Sequence, residues 1–325
     1  MKPDPSEVSE RTFTAARTLL LAGDRQGLVT ALDRQPELLN ARMSSRFAPY
    51  DGYFNGATLL HHVAGNPLVS PLPPEIVDLA RVLLDRGAQV DAVTLQGPSQ
   101  PDDIGWTTLG LVATSSTARE AGHQAALLDL LIDAGADPDA RGGGCIMGAL
   151  YYGESEGATH LARRGATLDL VAAAGVGDIE TLRSILGDED ALEATVRARP
   201  GTPPSAHDSN PSVSIVRLAH YSRVAWPDHA ERQDLLGLAL AYAALHGRLE
   251  AIGLLLDAGA DPNHRPPFDS RATALHRAAM GDHPEAIRML LDAGADPSAR
   301  DLEYHSTPLG WATYMRRAEA VEALA

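Results

Sequence analysis

Apolar residues recur along this chain with the spacing of short amphipathic helices, and glycine and proline residues separate these segments. Leucine-rich stretches such as Leu254–Leu256 and Met289–Leu291 are each followed within three residues by a glycine. A glycine at that place supplies the left-handed residue with which many helices end. No segment shows the sustained alternation of apolar and polar residues that is typical of a half-buried strand. The pattern therefore predicts a chain that is nearly all α-helical.

Two short strings repeat along the sequence. Asp-Ala-Gly-Ala-Asp-Pro occurs at 133–138, 257–262 and 292–297, and its Asp-Pro step prevents a helix from continuing. The second string begins with a threonine, which can cap the N-terminus of a helix. Its copies are Thr58-Leu59-Leu60-His61, Thr273-Ala274-Leu275-His276 and Thr307-Pro308-Leu309-Gly310. Together the strings predict a repeated pair of helices.

These strings resemble the repeat unit of the ankyrin family, in which a short helix, a longer leucine-rich helix and a Gly-Ala-Asp turn follow one another. Residues 236–301 match that unit twice in succession, with Glu250 and Glu285 in its glutamate position. The resemblance implies an all-α, ankyrin-repeat solenoid of about eight stacked helix pairs with insertions, as a single domain over residues 1–325. The units are expected at 11–40, 57–91, 105–141, 144–167, 168–198, 236–264, 271–300 and 305–325.

Several insertions interrupt the repeat, among them residues 66–74 in the second repeat unit and 115–122 in the third, and two others are longer. Residues 40–56 form an aromatic loop, and residues 199–233 form a longer insertion whose second half is apolar. An insertion of that length inside a compact domain is either a functional lid or a decoration that the fold tolerates. Both interpretations stay open, as does the choice between an ordered and a mobile segment.

Histidine fills the last position of the threonine string only at His61 and His276. In ankyrin repeats this histidine makes structural hydrogen bonds to the backbone, and the resemblance implies the same role here. Gly110, Gly148 and Gly310 stand in that position in other units. They either leave room for a ligand or a close backbone approach, or they reflect drift of a loose repeat.

In ankyrin proteins the first helices and the loop tips line a concave groove, where a partner binds. A cluster of aromatic side chains with Arg, Asp and His at its rim is typical of a binding site, although each aromatic residue alone could pack between repeats. Projecting the repeat onto this chain gives these candidate binding residues: Trp106, Phe268, Asp269, Arg271, Tyr304, His305, Trp311 and Tyr314.

Charge and composition limit the classes of partner that the protein can bind and indicate its cellular location. The chain has 27 Lys and Arg against 43 Asp and Glu, and its net charge of −16 argues against binding to nucleic acid or to an anionic membrane. Cys145 is the only cysteine, which excludes an internal disulfide and a cysteine-based metal site. No signal peptide or membrane span is visible, so a cytoplasmic location is expected. Lys2 is the only lysine, which indicates a GC-rich bacterial gene, and the resemblance suggests an actinobacterial one.

Two functions from different classes remain open. The family resemblance favours a recognition protein that binds a protein or a small molecule in the groove. The alternative is a tailoring enzyme, because the chain also looks similar to a few actinobacterial ankyrin-like proteins of natural-product pathways. Such an enzyme would dehydrate or cyclise a polyketide-like compound, or catalyse a Michael-type addition. No cofactor or metal is expected, because no motif for one is present. The candidate acid, base and oxyanion residues of that enzyme are His62, Tyr152, Tyr242, His246 and Arg277.

Overall fold

A computed structural model describes residues 8–42, 54, 56–65, 71–94, 105–190, 192, 231–266 and 271–325. Within these residues the chain is helical and contains no strand, and an isolated antiparallel bridge joins Val93 to Thr107. The prediction of an all-α chain is therefore confirmed. Residues 199–230 of the predicted insertion and residues 43–53 of the aromatic loop lie outside the described residues.

The first of two compact units comprises the described residues up to Ala140 together with Arg163–Gly165. Arg164 attaches the latter segment by ion pairs to Asp129 and to Asp133, the second at 2.6 Å. The unit contains three helix pairs, and a 3-10 helix replaces the first helix of the second pair. Its elements are α1 (Glu10–Leu21), α2 (Arg25–Arg34), 3-10 helices at Pro36–Leu39 and Leu60–Ala64, α3 (Ile76–Asp85), α4 (Thr108–Ala113), α5 (Ser116–Glu120) and α6 (Gln124–Asp133).

The second unit comprises residues 141–162 and 166–325, and its described residues contain five helix pairs. Its helices are α7 (Ala140–Tyr151), α8 (Ser155–Arg163), α9 (Leu170–Val176), α10 (Ile179–Leu186), α11 (Arg232–Leu245), α12 (Leu249–Asp257), α13 (Ala274–Gly281), α14 (Pro284–Asp292), α15 (Pro308–Tyr314) and α16 (Ala318–Leu324). The first helices α9, α11, α13 and α15 pack side by side in that order, and α10, α12, α14 and α16 form the second layer. The predicted number of about eight helix pairs is confirmed for the described residues, whereas their union in one domain stays a prediction.

The turns after the second helices use the predicted glycines. Gly294 has a φ of 89° and donates its N–H to the carbonyl of Leu291 at 2.9 Å. The next N–H, that of Ala295, reaches the carbonyl of Leu290, also at 2.9 Å. These two bonds are the Schellman pattern, which satisfies carbonyls at the end of a helix and requires a left-handed residue. The helix ends predicted from the Gly-Ala-Asp strings are thus correct.

Amide side chains connect two of these turns to the neighbouring repeat. Asn263 donates to the carbonyl of Gly294 at 2.9 Å and accepts the N–H of Asp296 at 2.7 Å. Gln233 makes the equivalent pair of bonds with Gly259 (2.6 Å) and Asp261 (3.1 Å). Gln233 lies in the first turn of α11, so the end of the predicted insertion is already part of the repeat architecture.

The two histidines of the threonine strings are structural, as predicted. His276 accepts the backbone N–H of Thr273 at Nδ1 (3.3 Å), and its Nε2–H donates to the carbonyl of Ser306 (3.0 Å). His61 makes the same two contacts with Thr58 (3.1 Å) and Ala92 (2.9 Å). Burial lowers the pKa of each histidine to about 4, so both rings are neutral at pH 7.

Candidate functional site

Aromatic residues and an arginine occupy equivalent positions in three consecutive first helices of the second unit. Tyr242 in α11, Arg277 in α13 and Trp311 in α15 each lie one residue after the position that His276 fills in its repeat. Residues at one repeat position line up across stacked repeats, because each unit packs on the next in the same way. We call these three side chains, with Tyr151 and Tyr304, the aromatic strip.

The contacts within the aromatic strip are specific. The guanidinium carbon of Arg277 lies over the ring of Trp311, 5.5 Å from its centroid, within the range of a cation–π interaction. The ring of Tyr304 meets Trp311 edge-on, with 6.5 Å between centroids. Trp311 is 7% exposed, whereas Tyr304 is 66% exposed. A buried tryptophan therefore supports an exposed tyrosine beside a charged group.

Asp301 fixes this end of the aromatic strip. Its carboxylate accepts the indole N–H of Trp311 at 3.1 Å and the backbone N–H groups of Glu303, Tyr304 and Ser306 at 2.6–3.0 Å. Burial alone would raise the pKa of Asp301, but hydrogen bonds from the backbone of Tyr304 and Ser306 and from Trp311 lower it below its usual value. Asp301 therefore stays ionised at pH 7 and holds the loop in place. The repeat pattern does not predict this role, although an aspartate that opens a short loop is a typical acceptor of local N–H groups.

A small cleft lies beside Arg277 in the second unit, and most of the residues that line it are buried. The hydroxyl of Tyr242 is buried, and Tyr242 as a whole is 4% exposed. The polar groups at the cleft are the phenol groups of Tyr151 and Tyr242 and the guanidinium of Arg277, and the rest of the lining is apolar. The lining residues are Tyr151, Leu238, Ala241, Tyr242, Leu245, Pro266, Ala272 and Arg277.

Tyr242 and Arg277 are the two enzyme candidates that line the cleft. Tyr152 follows the end of α7, is 48% exposed and meets the ring of Tyr151 edge-on at 5.1 Å. Its neighbour Tyr151, which sequence analysis did not select, lines the cleft in its place. In a degenerate repeat the alignment with the ankyrin unit can be wrong by one residue. An error of that size selects Tyr152 instead of its neighbour Tyr151.

The two histidine candidates are buried. His246 donates from Nε2 to the carbonyl of Leu150 at 3.0 Å, and burial lowers its pKa to about 4. It is therefore neutral and tied to the backbone, and its ring stacks near Tyr242 at 6.5 Å. His62 belongs to the first unit, whereas the other four candidates belong to the second.

The predicted binding residues have different surroundings. Tyr304 and Trp311 belong to the aromatic strip, and Tyr314 is 88% exposed at the end of α15. Arg271 and His305 are exposed residues with positive φ, at 51° and 53°. Trp106 is half-buried and shares two hydrogen bonds of 2.9 Å with Thr94, on either side of the isolated bridge. Phe268 and Asp269 lie outside the described residues.

Gly310 does not provide the space for a ligand that sequence analysis considered. A Cβ atom there would collide with the hydroxyl of Ser306, so a neighbouring side chain already fills the position. Gly310 donates its N–H to the capping oxygen of Thr307 at 3.2 Å, and Gly110 does the same with Thr107 at 3.1 Å. At these two positions the glycine N–H serves the threonine cap.

In the part of the chain that the structure describes, no three His, Cys, Asp or Glu side chains are grouped so that they could hold a metal ion. None of the helices described there has the length and apolar character needed to cross a membrane.

Comparison with known proteins gives a family match in the last quarter of the chain and a structural similarity over most of its length. No curated protein matches the sequence. Among solved structures, the ankyrin repeat domain of human ASB11 is similar at 18% identity over 95% of each chain, with a TM-score of 0.40. The family model for ankyrin repeats matches residues 240–325 in three copies, the part of the chain that contains the pairs α11/α12, α13/α14 and α15/α16.

Proposed function

We propose that this protein is a recognition module and that the aromatic strip of its second unit binds a segment of a partner protein. The observation that carries the proposal is the row formed by Arg277 and Trp311 on adjoining first helices and by Tyr304 in the loop before α15. Tyrosine, tryptophan and arginine are the residues most enriched at the centres of protein interfaces. The match of residues 240–325 to ankyrin repeats supports the same function, because such repeats generally mediate protein binding.

The shape of the site favours a protein over a small molecule. Small-molecule sites are concave and bury most of the surface of their ligand. The cleft beside Arg277 is small and its lining is mostly buried, whereas the aromatic strip continues from it to Tyr304, which is 66% exposed. We propose that an extended segment of a partner lies against the exposed ring of Tyr304 and contacts the exposed part of Trp311.

The enzyme alternative has less support from the geometry. Of its five candidate residues, Tyr242 and Arg277 share the cleft, and His246 is a neutral side chain bound to a backbone carbonyl. A tyrosine and an arginine could orient a carbonyl compound, but no described histidine or carboxylate lines the cleft to act as a base. No specific observation therefore favours catalysis over binding.

Photo-crosslinking tests the proposal. Benzoylphenylalanine replaces Tyr304 in one variant and Leu249 in a control variant, since Leu249 is 40% exposed on α12 in the second layer of helices. In cells that produce the protein, we expect a crosslinked protein with the Tyr304 variant and none with the Leu249 variant. With that partner purified, Tyr304→Ala should weaken binding at least tenfold and Leu249→Ala less than twofold. Crosslinks at Leu249 alone, or at neither position, would refute the proposed site.

A further inference from the structure

A second group of polar side chains, in the first unit, is not used by the proposed function. His62 lies in the 3-10 helix Leu60–Ala64 and is 6% exposed. Phe54 stacks on its ring with 4.9 Å between centroids, and Phe13 of α1 meets it edge-on at 6.1 Å. The imidazole is thus enclosed by two phenylalanines.

Two nitrogen atoms in this region are buried without a hydrogen-bond partner. They are Nε2 of His62 and Nε of Arg17, which lies on α1, one turn after Phe13. A buried polar nitrogen without a partner is unfavourable, so native proteins rarely keep two of them in one region without a reason. The two groups are close enough that the charge of Arg17 contributes to the lowered pKa of His62.

The local charge is positive although the whole chain carries a net charge of −16. Within the described residues, neither Arg17 nor Arg42 forms an ion pair with a carboxylate. Arg42 instead donates to the backbone carbonyls of Gly56 and Val93, at 3.0 and 2.7 Å. Two arginines therefore flank the adjacent pair His61 and His62 without a neutralising partner.

We propose that Arg17 and His62 form a binding site for a carboxylate group. The Nε–H of Arg17 and the Nε2–H of a neutral His62 would each donate to one carboxylate oxygen. One positive charge with two donors matches a monoanion with two acceptor oxygens better than it matches a phosphate dianion. The faces of Phe13 and Phe54 would contact an apolar group attached to the carboxylate, and Phe54 must move aside for the ligand to enter.

The carboxylate has two conceivable sources, a free organic acid or the side chain of a partner's Asp or Glu. The experiment therefore uses two probes on the whole protein at pH 7.5 and constant ionic strength. One is sodium benzoate, and the other is a blocked tripeptide with a central glutamate, compared with the same tripeptide carrying glutamine. The ¹⁵N signals of the His62 ring report hydrogen bonding at Nε2, and the titration gives Kd.

We expect saturable binding of benzoate, of the glutamate peptide or of both, with a shift of the His62 Nε2 signal that sodium chloride does not produce. Arg17→Met, which keeps an apolar stem, should weaken that binding at least tenfold. Arg11→Met on the exposed side of α1 is the matched control and should leave Kd within twofold. Binding of benzoate alone would identify a free acid as the ligand, and binding of the glutamate peptide alone would identify a side chain.

Either of two results would overturn the proposal. The first is an Nε2 signal that does not respond to any carboxylate, which would mean that trapped water satisfies the two donors. The second is equal affinity of the wild-type protein and Arg17→Met. If Arg17→Met does not fold, the titration of the wild-type protein alone still decides between the first result and binding.

Discussion

At the scale of single residues, the buried leucines test whether the helix pairs pack as described. Leu275 in α13 and Leu290 in α14 are fully buried, whereas Leu249 in α12 is 40% exposed. Truncating a fully buried leucine removes its apolar contacts and leaves a cavity. We expect Leu290→Ala and Leu275→Ala to lower the free energy of unfolding by about 2–5 kcal/mol each in urea titrations. Leu249→Ala is the control, and a loss as large as that of the buried pair would contradict this packing.

Gly294 tests backbone conformation separately from packing. Its φ is 89°, and no atom lies within 4 Å of the place that a Cβ would take. Gly294→Val therefore meets no collision, but it forces a β-branched residue into a left-handed conformation. We expect a loss of about 1–3 kcal/mol in the free energy of unfolding, and a smaller loss for Gly294→Asn, because asparagine tolerates this conformation better. If valine and asparagine have the same effect, the strain does not arise from φ.

The residues that sequence analysis placed correctly are those whose role is local. Gly294 ends a helix and His276 bonds to its own capping threonine, so a short string of residues carries the information for both. Tyr151, Asp301 and Arg17 were missed because their roles depend on register or on contacts between elements. Tyr151 lies in a degenerate repeat, where an error of one position selects Tyr152 instead. Arg17 belongs to the proposed carboxylate site only because α1 packs against the 3-10 helix that carries His62.

At the scale of elements, the loop between α14 and α15 depends on one buried carboxylate. Asp301 accepts hydrogen bonds from three backbone N–H groups and from Trp311. Asp301→Ala removes all four acceptor contacts, and we expect the free energy of unfolding to fall by about 2–4 kcal/mol. The fluorescence of Trp311 should also change in the folded variant, because the indole N–H loses its partner.

Two further variants test whether the loss of stability comes from the hydrogen bonds of the loop or only from the loss of a negative charge. Asp301→Asn keeps the shape but replaces one acceptor oxygen by a donor, so its loss of stability should be intermediate. Asp296 also accepts N–H groups, but it is exposed in the turn after α14, and Asp296→Ala should destabilise less than Asp301→Ala. The same loss for both alanine variants would show that burial of Asp301 does not matter.

The insertion shows why elements next to irregular segments are hard to delimit from sequence. The interval 199–233 was selected because the repeat strings are absent from it. Its last two residues nevertheless begin α11, which Glu231 and Asp234 cap reciprocally. Gln233 there plays the part that Asn263 plays in the next repeat, with a different amide. Glutamine in place of asparagine preserves the two hydrogen bonds, but it removes the sequence similarity by which the repeat would be recognised.

At the scale of the whole molecule, buried neutral histidines occur in both compact units. His61 belongs to the first unit, and His246 and His276 belong to the second. Burial lowers the pKa of each to about 4, from an ordinary value of 6.5. Between these two values the unfolded chain binds protons that the folded chain does not bind, so stability must fall as the pH drops from about 6.5 towards 4. Carboxylates such as Asp301 contribute to acid unfolding mainly below this window, because their ordinary pKa is already near 3.8.

His276→Gln isolates the contribution of one of these histidines. Glutamine cannot titrate, so the variant loses the proton linkage together with the hydrogen bonds of the ring. At pH 8 the full cost of the lost contacts should be seen, since His276 is neutral in both states of the wild-type chain. At pH 5 the wild-type protein has itself lost up to about 2 kcal/mol from this histidine, because the unfolded chain is protonated there and the folded chain is not. The difference in stability between wild type and variant, measured by urea titration, should therefore shrink by about that amount from pH 8 to pH 5.

Parallel stability curves would mean that His276 does not exclude a proton in the folded state. The hydrogen bonds assigned to its two nitrogens would then be wrong, because Nδ1 accepts the N–H of Thr273 only when the ring is neutral.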